Sequence, residues 1–189
     1  MANTVSNVSV GKPKVGGAIF TAPIGTTLPT SATEDLDAAF KSLGYVSEDG
    51  LTNSNSPTND KKKAWGGDTV LNLLTDKPDD FKFKLIEALN VDVLKFVYGD
   101  DNVTGDLSTG ITVKANADDA IDRVIVCDMI LRGGVLKRVV LPIAKVTAVE
   151  DIVYADSDAI GYGTTVSAMP DADSNTHYEY IQTKPVITT

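Results

Sequence analysis

The sequence predicts a mainly β fold, a β-sandwich or partly rolled barrel with one short flanking helix. Three observations predict it. Two β-branched, apolar runs, Ile121–Leu131 and Val135–Val149, flank Arg132-Gly133-Gly134, and paired glycines accept the positive φ of a tight hairpin turn. Phe81, Phe83 and Leu85 alternate with Lys82 and Lys84, which is the period-2 pattern of a half-buried strand. Only Asn90–Tyr98 (NVDVLKFVY) carries a clear helical face, with Asn90 suited to cap its start and Gly99 its end.

The elements follow in order. Residues 1–13 are polar and end in Pro13, so they read as a flexible N-terminal arm, with Val5, Val8, Val10 and Lys12 as its candidate assembly residues. Val15–Ala22 is the first strand, and Gly16-Gly17 suggests a bulge or a close backbone approach. A long loop covers about 22–44 and contains Pro23 and Pro29. Within it Leu36, Ala39 and Phe40 have helical spacing, and Thr33 can cap, so Glu34–Lys41 is expected to hold a helical turn or two. Gly44–Asp49 reads as a short strand and Gly50–Asp60 as a loop rich in Asn, Ser, Thr and Pro.

Lys61–Trp65 and Thr69–Thr75 are strands around Gly66-Gly67. The turn Lys77-Pro78-Asp79-Asp80 is expected to join the Phe81 strand to its predecessor as a hairpin. Pro142 cannot donate to a ladder, so its strand needs a bulge or an exposed edge there. Gly161–Met169 and His177–Thr183 are the last strands, joined by the polar loop Pro170–Thr176. Residues 14–183 therefore form a single β domain, with 184–189 as a C-terminal tail and no additional domain expected. The candidate core is Phe81, Phe83, Leu85, Leu94, Val97, Val124 and Val126.

Composition limits the function. The 189 residues carry 17 Lys and Arg against 26 Asp and Glu, a net charge of −9. Such a field opposes a protein that grips nucleic acid or anionic lipid. Most of the excess lies in the second half, where residues 96–189 hold 7 basic and 14 acidic residues. One cysteine, Cys127, excludes an intrachain disulfide and suits a reducing cytosol. Neither a secretory signal nor an apolar run of membrane-spanning length is present, so no membrane association is expected.

No catalytic constellation emerges, and no enzyme, cofactor or metal site is expected. His177 is the single histidine and has no evident nucleophile to activate. Cys127 lies in an apolar run and reads as a small buried hydrophobe. Gly161-Tyr162-Gly163 lacks the third glycine of a dinucleotide fingerprint. Asp171-Ala172-Asp173-Ser174-Asn175 begins like a calcium loop, but Thr176 replaces its glycine and Gln182 its closing glutamate. Asp100, Asp101 and Asp106 form another acidic group, for which solvation is the simpler reading. Lys61-Lys62-Lys63 before Trp65 reads as an exposed strand face or part of an interface.

What remains is a β core with polar appendages, and open sheets carry edges that invite pairing. A subunit that polymerises would use these features. Gly11–Pro29 (GKPKVGGAIFTAPIGTTLP), Leu43–Pro57 (LGYVSEDGLTNSNSP), Lys63–Thr69 (KAWGGDT) and Leu85–Asn102 (LIEALNVDVLKFVYGDDN) resemble the major tail tube protein of long, non-contractile-tailed bacteriophages, especially those of Gram-positive hosts. The resemblance runs over most of the chain. It implies a β-sandwich related to the tube proteins of contractile tails and type VI secretion. It further implies homo-hexameric rings stacked into a hollow tube around a tape-measure protein. The tube would be assembled in the host bacterial cytoplasm, joined to tail terminator and distal tail proteins, and would conduct double-stranded DNA at ejection. The candidate ring-stacking loop is then Gly50, Asn53, Ser54, Asn55, Pro57, Asn59 and Asp60, and the channel wall is expected to be net negative. The competing reading is a carbohydrate-binding or adhesin module, which the 6% aromatic content does not favour.

Overall fold

In the computed structural model, residues 3–14 and 16–184 are described. The chain runs β1 (Lys12–Pro13), β2 (Ile19–Pro23), β3 (Lys41–Ser42), β4 (Val46–Ser54), β5 (Thr58–Lys63), β6 (Thr69–Asp76) and β7 (Asp80–Leu85). After helix α1 (Val91–Tyr98) come β8 (Val103–Thr104), β9 (Thr112–Val113), β10 (Arg123–Ile130), β11 (Val135–Val149), β12 (Tyr162–Met169) and β13 (Tyr178–Thr183). The fold is mainly β, as the sequence predicts, with no closed barrel.

One sheet carries the order β3-β2-β10-β11-β12-β7-β4, with β1 on β10 and β13 on β11. Its centre is the β10–β11 hairpin, turned by Gly133 and Gly134, both at φ 77°. The 15-residue β11 serves two partners on its other edge. Val135–Val140 pairs with β13 and Ile143–Val149 with β12. The β10–β11 register slips between Leu141 and Ala144, so Pro142 sits at a bulge. Bulges bend strands, and here the sheet folds over itself. Ile19, Ile125, Cys127, Val139 and Leu141 from one half meet Phe81, Phe83, Leu85, Tyr162 and Val166 from the other.

β10 is buried on both faces because a second cluster lies behind it. Ala22, Phe40, Val124, Val126 and Val140 pack there with Leu28, Leu36, Tyr178 and Tyr180. Val124 and Val126 thus alternate with Ile125 and Cys127, one pair to each layer. Helix α1 packs against the first layer through Val93, Leu94 and Phe96. The Asn90 side chain accepts from the Asp92 N–H, and the Gly99 N–H closes the helix on the Lys95 carbonyl. Val97 is only half-buried, since the core stripe runs through Val93, Leu94 and Phe96 instead.

Four expectations are corrected. Glu34–Lys41 forms no helical turn; the segment lies over the second cluster, and Glu34 Oε2 accepts from the Thr30 N–H at 2.7 Å. The strand expected at Gly44–Asp49 is longer, so Gly50–Ser54 belongs to β4 rather than to a loop. Asn59 and Asp60 likewise lie in β5, leaving Asn55–Pro57 as the connection. Ladder pairing overrides the loop-like composition here. Finally, Lys77–Asp80 does not make a hairpin of β6 and β7. β6 pairs with β5, while β7 lies between β12 and β4. Val15, residues 1–2 and residues 185–189, parts of the expected first strand, arm and tail, lie outside the described residues.

Candidate self-assembly surfaces

β4 and β7 are neighbours, with Asn53 opposite Phe81 and Ser54 opposite Asp80. Between them the chain leaves the main sheet as β5 and β6, a two-stranded sheet of its own. Every residue of both strands is exposed. The set includes Val70 at 65%, Leu71 at 48%, Leu73 at 44% and Leu74 at 59%. Leu71 and Leu73 share one face with Lys62 and Asp60, which form an ion pair at 2.5 Å, while Leu74 lies on the other face beside Asn59. Trp65, at the turn, is fully exposed. An isolated two-stranded hairpin is marginal in water. One with leucine on both faces gains stability when other protein covers it.

The base of this projection is held by Asp79, which is 2% exposed. Its Oδ1 accepts from Asn53 Nδ2 at 2.8 Å, and its Oδ2 from Thr176 Oγ1 at 2.6 Å and lies 2.5 Å from His177 Nδ1. Burial pushes the Asp79 carboxyl up, but the bonds from Thr176, Asn53 and His177 outweigh it and leave it below the ordinary value. The imidazole also stands edge-on to Phe81, with ring centroids 5.3 Å apart. Asp79 therefore ties the end of β4 and the start of β7 to the loop before β13. His177 takes part as a structural partner of a carboxylate.

The arm is the second surface. Val5, Val8 and Val10 are exposed, and Val5–Asn7 forms a 3-10 turn that buries nothing. Lys12 pairs with Ile130, and Ser9 Oγ accepts from the Arg132 N–H at 2.8 Å. Lys14 Nζ reaches Asp128 Oδ2 at 3.1 Å. Asp128 is buried and takes two bonds from Arg138, Nε to Oδ1 at 2.7 Å and Nη2 to Oδ2 at 2.9 Å. Arg138 Nη1 also donates to the carbonyls of Ser31 and Glu34. This pair anchors both the arm and the 23–40 segment to the sheet.

Among the candidate stacking residues, Gly50, Asn53 and Ser54 lie on β4, Asn55 and Pro57 in the connection, and Asn59 and Asp60 on β5. The geometry brings them together at the base of the projection rather than in one loop. The sequence reasoning missed Asp79 and the Asp128–Arg138 pair. For the pair there was a signal: each charge interrupts an otherwise apolar run. The acidic groups singled out earlier are engaged locally. Asp106 Oδ1 accepts from the backbone and hydroxyl groups of Ser108 and Thr109, and these bonds hold its carboxyl down at about 2. Asp171 accepts from the Asp173 and Asn175 N–H groups and from the Tyr178 hydroxyl. Asp100 pairs with Arg123 at 2.8 Å. No cluster of three metal-ligating side chains occurs among the described residues, and none of their helices is long and apolar enough to cross a membrane.

A family model described as phage tail tube protein matches residues 4–189. No curated protein matches the chain.

Proposed function

The chain belongs to the phage tail tube protein family, a family of structural virion tail proteins, and on that premise we propose that it assembles into stacked homo-hexameric rings whose bore is the conduit for DNA ejection. The β5–β6 hairpin carries the reading. It is exposed along its whole length, bears apolar side chains on both faces, and stands on a base fixed by Asp79. In the tube it lies against a subunit of the adjacent ring. The residues from Gly50 to Asp60 form its proximal half, so the candidate stacking site extends outward to Leu71, Leu73 and Leu74. The free edge of β4 and the exposed arm supply further contacts, since unpaired edges template pairing with another chain. The tube surrounds a tape-measure protein, meets terminator and distal tail proteins at its ends, and is built in the host cytoplasm. The subunit needs no chemistry of its own.

Purified protein examined by negative-stain microscopy tests this. Hollow, regularly striated tubes are expected as concentration rises. A protein that stays monomeric at every concentration, with or without a bound sugar, contradicts the reading and favours a binding module.

A further inference from the structure

The two outward faces of the folded sheet differ. Behind β2, β10 and β11, the face is apolar and covered by residues 23–40. The outward face of β4, β7, β12 and the second half of β11 is bare. Its side chains follow from the register. One row across the four strands reads Lys145, Ser167, Asp80 and Ser54. The next reads Ala148, Thr165, Lys82 and Thr52. Lys84 then stands opposite Gly163. Neither row holds an apolar side chain larger than alanine, so hydration of this face costs little, and an antiparallel sheet can keep one face in water.

The charges on this face are balanced. Lys145 pairs with Asp119, and Asp80 accepts from Ser167 Oγ at 2.5 Å. The Glu150 carboxylate lies over Gly163, next to Lys84 in the register. The apolar surfaces that call for a protein partner lie elsewhere, on the hairpin and the arm. We propose that this bare face of β4, β7, β12 and β11 is the wall of the tube's bore, a short-hydroxyl, charge-balanced surface that a passing DNA duplex meets through water. The inference rests on the tube reading and deepens it. Duplex DNA carries one charge per roughly 1.7 Å of axis. A wall whose lysines already have carboxylates nearby offers it no continuous basic track. The bore is thus neutral by local pairing rather than acidic, unlike the expectation from overall charge.

Single variants Thr52→Cys, Lys82→Cys and Thr165→Cys test the proposal with two reagents, a small maleimide and one on a polymer too bulky to enter the tube. The native thiol gives little background, because Cys127 is 2% exposed and burial pushes it up to about 12. Each variant is labelled by both reagents as a monomer. In tubes the small reagent is expected to keep reacting and the polymer-linked one to lose its reaction. Labelling by both in the tube puts the face on the outside, and labelling by neither puts it under a neighbouring subunit; either result overturns the proposal. Three positions keep the test standing if one variant misfolds. Wild-type protein that forms no tubes refutes the assembly reading itself, whereas tubes with the wrong labelling pattern refute only the wall.

Discussion

Asp128 and Arg138 are the residues on which most of the fold's long-range order converges. A buried ion pair gains little over an apolar pair of equal volume, yet losing one partner strands a charge and costs about 3–5 kcal/mol. Asp128→Asn and Arg138→Met are each expected to lower urea-unfolding stability by about that amount. The double variant Asp128→Leu with Arg138→Met is expected to lose less than the sum, because neither charge is left alone. Asp79 and Asp128 also set the acid limit. Burial raises both carboxyls, but their hydrogen bonds outweigh it and both fall below the ordinary 3.8. A folded value below the unfolded one gives stability that is present above 3.8 and lost as pH falls through the lower folded value. The urea midpoint is therefore expected to drop below that pH, and Asp79→Asn to remove its share of the drop.

At the scale of elements, the hairpin separates assembly from folding. Leu71→Asp with Leu73→Asp changes exposed side chains, so monomer stability is expected to move by no more than about 0.5 kcal/mol for each. Tube formation is expected to fail, as read by sedimentation and microscopy. Elements specified by local signals were legible in the sequence. Alternation at Phe81–Leu85, the Gly133-Gly134 turn, the Pro142 bulge and the caps Asn90 and Gly99 all depend on near neighbours. Elements specified by distant partners were not. Gly50–Ser54 becomes strand because β7 lies beside it, despite a loop-like composition. Glu34–Lys41 stays irregular while Arg138 takes the Ser31 and Glu34 carbonyls, more than 100 residues away in sequence. Pro78 and Asp79 look like a hairpin turn, but β7 takes its partners from β4 and β12. The hairpin's role was half-legible for a related reason. Val70, Leu71, Leu73 and Leu74 have the pattern of a core strand, and only the fold shows that no core lies beside them.

At the scale of the molecule, one sheet folded at Pro142 leaves each surface with a different task. The interior holds the aromatic core, one back is sealed by residues 23–40, and the other back is bare and polar. Apolar side chains then project from the rim, on the hairpin and the arm. The excess acid of the second half sits largely in exposed connections, at Asp118, Asp119, Asp151, Asp156 and Asp158, so overall charge was a poor guide to any one face. A subunit with a wet, uncovered sheet on one side and apolar projections at its rim is suited to enclosing a space with copies of itself. The most direct measurement is a cryo-electron microscopy map of the wild-type assembly. The account requires stacked rings in which residues 58–76 of one subunit lie against a subunit of the next ring, with Leu71, Leu73 and Leu74 buried between them. A map showing that hairpin in solvent, with rings joined through other surfaces, would contradict it.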